Sequence, residues 1–256
     1  MMAEASVPRT LLWSLYEHVA MAMGLLVLVL FCLIWLPFAL ALQFVLPRQL
    51  GRRVGRWMIA FGFRLYLNFL QAVCSSRFDL SELDALREQG PLILVANHPS
   101  LIDAVLVVSR LPNAVCVMKA DLMNNLLLGS AARLAGYIRN DGPVEMVVHA
   151  TETLQQGAHL LLFPEGTRTT HFPLDACSSS TALISRRSGI PVQTLLIDFS
   201  TPYLGKDWPI WRKPRLPLSF SVRLGKRFEP AEDAAAFTRE LEAYLREACG
   251  HCGHLS

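Results

Sequence analysis

Residues 19–46 contain no Asp, Glu, Lys or Arg. Twenty-eight consecutive uncharged positions exclude an ordinary solvated surface helix. The run is long enough to cross a bilayer's hydrocarbon core, or to enter it as a bent segment with Pro37 as the bend. It is also too long for a signal-peptide core, and no small-residue cleavage site closes it. The remainder lacks any basic excess: residues 73–256 carry eighteen Lys/Arg against nineteen Asp/Glu, whereas residues 1–72 carry six Arg and two Glu. Nucleic acid binding needs a basic patch on the folded domain, so no nucleic acid partner is expected. The N-terminal excess suits an anionic membrane surface. Six scattered cysteines form no disulfide framework and suit a reducing compartment. There is no internal repeat, no low-complexity linker and no G-x-S-x-G nucleophile elbow.

The 256 residues, with a mean hydropathy of +0.34, suit one domain plus an anchor. Arg48, Arg52, Arg53 and Arg56 follow the uncharged run and place this end on the cytoplasmic side. Residues 56–73 intersperse Arg64 with Trp57, Phe61, Phe63, Tyr66 and Phe69. That pattern predicts an interfacial helix, aromatics inward and arginines toward headgroups. Its alternative is a buried helical hairpin. Residues 1–73 therefore read as a membrane anchor, 74–248 as an α/β domain and 249–256 as a tail.

Within 74–248, apolar runs alternate with helical patterns. Strands are expected near 91–96, 114–118, 159–163, 191–197 and 217–224. Helices are expected near 101–110, 122–135, 143–156, 178–188 and 231–248. The rhythm predicts an α/β fold with a mostly parallel central sheet flanked by helices. Ligand sites in such sheets gather at the carboxyl ends of strands.

Two strand-to-turn blocks carry chemistry. Asn97-His98-Pro99-Ser100-Leu101-Ile102-Asp103 sets a histidine and an aspartate five residues apart. A neutral imidazole there takes a proton from a hydroxyl, with the carboxylate fixing its tautomer. The structural alternative is a capping box, Ser100-x-x-Asp103 opening a helix. Phe163-Pro164-Glu165-Gly166-Thr167-Arg168 joins a strand to a carboxylate, a glycine that admits close backbone approach, a hydroxyl and a guanidinium that forks onto a phosphate or carboxylate. Its alternative is an exposed turn with a Glu–Arg surface pair. Arg139, after Gly136-Tyr137-Ile138, and Lys119, after Met118, are further cations at strand ends.

Together these blocks resemble the glycerolipid acyltransferase family, the lysophosphatidate acyltransferases and their relatives. The first family signature, N-H-x-S-x-x-D, is residues 97–103, and F-P-E-G-T-R is intact at 163–168. The glycine–arginine block is matched loosely by 136–139, and the apolar-Pro-Val strand start by Ile190-Pro191-Val192. The resemblance covers roughly residues 75–200. It implies transfer of a fatty acyl group from an acyl thioester, acyl-CoA or acyl-carrier protein, to the hydroxyl of a lysophospholipid-type acceptor such as 1-acyl-glycerol-3-phosphate. His98 would be the general base, oriented by Asp103. Glu165, Gly166, Thr167 and Arg168 would bind the acceptor, with Arg139 as a weaker contributor. No cofactor, metal or covalent acyl-enzyme is implied, and the protein would work at the cytoplasmic face of the inner or plasma membrane.

After Arg168 this chain departs from the family. Residues 171–180 (His171-Phe172-Pro173 onward) stand where many relatives have a basic residue and a glycine, and the Arg139 block is short. Both departures favour a less anionic acceptor, such as an amino-acid lipid or a pigment lipid. A non-catalytic lysolipid-binding protein and a thioesterase use the same residues. Residues 249–254 place Cys and His at metal-ligand spacing, but at a terminus that reads as a frayed tail. The basic, aromatic segment 208–215 suits headgroups or the donor's phosphates, or is a solvated loop.

Overall fold

The computed structural model describes residues 10–209 and 212–250. Two long helices open the chain: α1, Leu11–Val45, and α2, Arg48–Val73. They are followed by β1 (Ser76–Asp79), a short 3-10 turn, β2 (Ile93–Ala96), α3 (Asp103–Arg110), β3 (Ala114–Met118), α4 (Ala120–Asn124), α5 (Leu126–Ala135), β4 (Ile138–Arg139), α6 (Pro143–Gln155), β5 (His159–Leu162), α7 (Ser180–Ser188), β6 (Val192–Phe199), β7 (Leu218–Phe228) and α8 (Ala234–Gly250). The expected α/β class holds. Seven strands form one sheet in the order β1-β7-β6-β2-β5-β3-β4, parallel throughout except where β7 runs antiparallel to β6.

The sheet is covered on both faces, which is why its central strands read as continuous apolar runs rather than alternations. Leu94 and Ala96 point into the core shared with α2 and α3, and Ile93 and Val95 into the one shared with α6, α7 and α8. Ile93 pairs with Leu160 of β5 on one side and Val192 of β6 on the other, so β2 is central.

Several boundaries differ from the sequence expectation for local reasons. The predicted 122–135 helix breaks at Asn125, whose side-chain oxygen accepts from the N–H groups of Leu127 and Leu128 and starts α5 afresh. Pro143 does occupy the first turn of α6. The charged stretch after residue 76 contains β1, an edge strand paired only with β7.

The arginines of α2 correct the interfacial expectation. Arg56 is buried and donates Nε to Ala135 O (3.0 Å), and Arg64 donates Nε and Nη2 to Ser109 O (3.3 and 3.1 Å). Both serve carbonyls at the C-terminal ends of helices, where a cation meets the negative end of the dipole. The stacked pair Trp57–Phe61 faces outward instead (5.4 Å), while Tyr66 is buried in the core. Chain pattern alone cannot tell which side of such a helix meets protein.

α1 is long and apolar enough to cross a membrane, yet it is pinned near one end to the last residue of α2 and near the other to α5. Tyr16 Oη donates to Val73 O (2.7 Å), and Gln43 Nε2 donates to Ser130 O (3.0 Å). Those anchors stand roughly 40 Å apart along the helix, more than a hydrocarbon core of about 30 Å. The opposite side carries exposed Leu12, Leu15, Val19, Leu26, Leu30 and Leu33.

α2 meets α5 closely through Gly51 and Gly55, one turn apart. A Cβ at Gly55 would lie 2.8 Å from the Ala135 backbone nitrogen. Gly55→Leu is therefore expected to destabilise the fold by about 3 kcal/mol by forcing the two helices apart, measured by chemical denaturation in detergent. Gly62→Ala, in open space on the same helix, is the control and should be neutral or slightly stabilising.

Candidate active site

The carboxyl ends of β2, β5, β3 and β4 lie side by side, and each carries a polar block. His98 follows β2, Glu165 to Arg168 follow β5, Lys119 follows β3 and Arg139 closes β4.

His98 Nδ1 lies 2.8 Å from Asp103 Oδ2, which also accepts the Ser100 N–H at 2.7 Å. Only half of the expected capping box forms: Asp103 Oδ2 accepts the Ser100 N–H, but α3 begins at Asp103 itself with no side-chain cap, and the same oxygen holds the imidazole. Asp103 is fully buried while the His98 side chain retains 16% exposure, so one partner is fixed and the other reaches the surface. Burial pushes the Asp103 carboxyl up, opposed chiefly by its bond to His98. With Asp103 ionised, Nδ1 carries the hydrogen and Nε2 presents a lone pair. The imidazole stacks on Phe163, ring centroids 3.8 Å apart, which fixes its plane.

Glu165 stitches the two blocks together. Oε1 accepts the His98 N–H (3.1 Å) and the Thr169 hydroxyl (2.9 Å), and Oε2 accepts the Asp175 N–H (2.9 Å). The Thr169 N–H returns a bond to His98 O (2.8 Å). Burial pushes the Glu165 carboxyl up against these donors. Its oxygens therefore face the protein's own backbone, where the sequence alone suggested a headgroup contact. Gly166 adopts φ +68° with open space where a Cβ would project, so the turn leaves the floor of the site clear.

Arg168 donates Nη1 to Leu204 O (2.9 Å) and Gly205 O (2.7 Å) in the loop between β6 and β7. Thr167 Oγ1 lies 3.5 Å from Lys119 Nζ, which brings a cation next to the 163–168 turn. Arg139 stands further along the sheet edge, exposed, and shares its guanidinium with Asp141 (2.6 Å) and Asn124 (2.9 Å).

Two further elements have functional weight. Asn97 is buried and bonds Ile197 in both directions, Nδ2 to O at 3.0 Å and N–H to Oδ1 at 2.8 Å, locking the His98 turn to β6. An amide directly after a fully apolar strand needs partners, so its burial was readable in the sequence. The β6–β7 loop supplies carbonyls, which leave no side-chain signature. In the divergent segment, Thr170 and His171 hold the Asp175 carboxyl well below the usual carboxylate range. Among the described residues no group of three His, Cys, Asp or Glu is placed to hold a metal; the tail motif at 249–254 extends outside them.

Residues 77–198 match the acyltransferase family profile. A lysophosphatidylcholine acyltransferase of Drosophila melanogaster is 27% identical over 143 residues, covering 51% of this chain and 25% of that protein, so the chain spans about a quarter of its length. The crystal structure of the Thermotoga maritima 1-acyl-sn-glycerophosphate (LPA) acyltransferase PlsC superposes with a TM-score of 0.70 at 16% identity, over 94% of this chain and 99% of that one. That likeness is one of fold, and it includes the two N-terminal helices.

Removing the Glu165 carboxylate leaves the His98 and Asp175 N–H groups without their acceptor. Glu165→Ala is expected to cost about 3 kcal/mol of stability and to lower turnover as well; Glu165→Gln, which keeps one of the two acceptor oxygens, should cost less. Thermal denaturation of the purified variants reads both.

Proposed function

We propose that the chain, whose residues 77–198 match the acyltransferase family profile, transfers a fatty acyl group from an acyl thioester to the hydroxyl of a lysophospholipid at a membrane surface. The observation that carries this reading is the buried Asp103 holding His98 Nδ1, with the other imidazole nitrogen free to act at the carboxyl edge of the sheet. His98 Nε2 removes the acceptor hydroxyl proton as the oxygen attacks the thioester carbonyl. Collapse of the tetrahedral adduct expels the thiolate, which takes the proton back from the imidazolium. A thioester is already activated, so positioning and one base suffice. No covalent acyl-enzyme, cofactor or metal enters these steps.

The headgroup is assigned to Arg168, Thr167 and Lys119 around the open Gly166 turn. Arg168 commits Nη1 to the β6–β7 loop and retains its other N–H donors. Arg139, engaged with Asp141, contributes less. 1-Acyl-glycerol-3-phosphate is the first acceptor to test, with acyl-CoA or acyl-carrier protein as donor. The ionised Asp175 in the segment following the 163–168 turn favours a second reading, an acceptor with less negative charge.

α1 is assigned to one leaflet. Its polar anchors stand further apart along the axis than a bilayer core is thick, so its apolar side is buried in lipid while the other side stays on the protein. The arginines at positions 48, 52 and 53 favour the cytoplasmic leaflet.

Purified protein offered acyl-CoA or acyl-carrier protein, with lysophosphatidate, other lysolipids or no acceptor, should yield a diacyl lipid detectable by mass spectrometry. His98→Ala and Asp103→Asn should each lower kcat by about 10³-fold with the fold intact. Donor hydrolysis alone would identify a thioesterase, and lipid binding without turnover a binding protein. Because burial raises the Asp103 carboxyl, kcat should fall with decreasing pH, the fall beginning above the usual carboxylate range; a pH–rate profile checks the sign. In a cysteine-free background, single cysteines at Thr10 and Gln49 should react with an impermeant maleimide from the same side of the membrane. Labelling from opposite sides would mean that α1 spans it.

A further inference from the structure

The loop between β6 and β7, described at residues 200–209 and 212–217, links α1 to the His98 turn. Its outgoing limb touches the site: Ser100 Oγ donates to Tyr203 O (2.6 Å), Leu101 N–H to Leu204 O (3.0 Å), and Arg168 to Leu204 O and Gly205 O. Its returning limb is fastened to the first turns of α1. Lys213 Nζ pairs with Glu17 Oε2 (2.6 Å) and reaches Ser14 Oγ (2.6 Å), and the Leu216 N–H donates to Glu17 Oε1 (3.2 Å). Glu17 is only 4% exposed, a carboxylate buried on a helix that is otherwise almost wholly apolar.

The two limbs are braced against each other. Trp208 Nε1 donates to Arg212 O (2.8 Å), the Arg212 guanidinium lies 4.4 Å above the Trp208 ring, and the Trp208 N–H reaches Gly205 O (3.3 Å). Leu204 and Asp207 hold φ of +50° and +56°, conformations that L side chains rarely adopt and that persist only where the surroundings enforce them. The loop's shape is therefore imposed by its fastenings, not by secondary structure.

We propose that Glu17 is a positioning residue for the His98–Asp103 pair: by holding Lys213 it sets the loop carbonyls against which Ser100, Leu101 and Arg168 are placed. The proposal rests on the acyl-transfer reading above. The buried Glu17 carboxylate is poorly screened, and removing the part-exposed Lys213 ammonium strands it. The membrane helix is thereby mechanically joined to the base, though no atom of Glu17 touches substrate.

The test uses the full chain in detergent with acyl-CoA and lysophosphatidate, or whichever donor and acceptor the assay above identifies. Glu17→Gln and Lys213→Met should each lower kcat about tenfold or more, since small displacements of a base are costly. KM for the thioester donor should stay within about twofold, and the double variant should be no worse than either single. Folded single variants with unchanged kcat, or losses that multiply in the double variant, would overturn the proposal. A KM effect without a kcat effect would do the same. Should either single variant fail to fold, the exchange Glu17→Lys with Lys213→Glu decides: recovery of at least half of wild-type kcat supports the coupling, and a folded but slow exchange variant refutes it. His98→Ala separates the two levels. A silent wild type, or His98→Ala as active as wild type, defeats the acyl-transfer reading itself. An active wild type with an inert His98→Ala leaves only the Glu17 assignment on trial.

Discussion

The Glu165 carboxylate is the constraint on which the site depends. Parallel pairing of β2 with β5 delivers two loops to the same edge of the sheet, but strand pairing alone leaves loops free to diverge beyond the last ladder bond. Glu165 closes that gap by accepting from both loops at once, at His98 N–H and Thr169 Oγ1, while reaching Asp175 N–H with its second oxygen. A glutamate is long enough to bridge the loops, and its two oxygens accept three donors. Burial opposes its charge, and the converging donors offset that cost. Asn97 performs the matching task on the other flank, toward β6.

A similar economy governs the helices. Arg56 and Arg64 of α2 end on carbonyls at the C-terminal ends of α5 and α3, so this helix orders the domain's helical layer as well as covering it. Gly51 and Gly55 let it approach α5 at backbone distance. The boundary between anchor and domain is thus a packed interface. Tyr66, Leu67 and Leu70 belong to the same apolar core as the sheet residues Leu94 and Leu161.

The parallel sheet, its central strands and the His98–Asp103 turn were legible because each has a side-chain signature: uninterrupted apolar runs, and a histidine and acid at fixed spacing after one of them. What escaped has none. β1 is four residues long and owes its pairing to a neighbour distant in sequence. The 203–205 loop acts through carbonyls that every residue possesses. For Glu165 and Arg168 the sequence could not say whether their polar atoms face a ligand or the backbone; their observed partners at positions 98, 175, 204 and 205 are set by topology. The direction of α2 was misjudged for the same reason, since an arginine beside aromatics pairs as well with a helix end as with a phosphate.

The exposed leucine side of α1 also decides how concentration must be reckoned. On the proposed acyl-transfer reading, with α1 laid along one leaflet, the protein would meet a lipid acceptor by sliding in two dimensions. The governing quantity is then the acceptor's mole fraction in the surface, while a water-soluble thioester is still counted per volume. Dilution with inert lipid would slow the encounter with acceptor while leaving the encounter with donor untouched. Two substrates of one reaction would thus obey different laws of mass action, a separation imposed by the lie of a single helix.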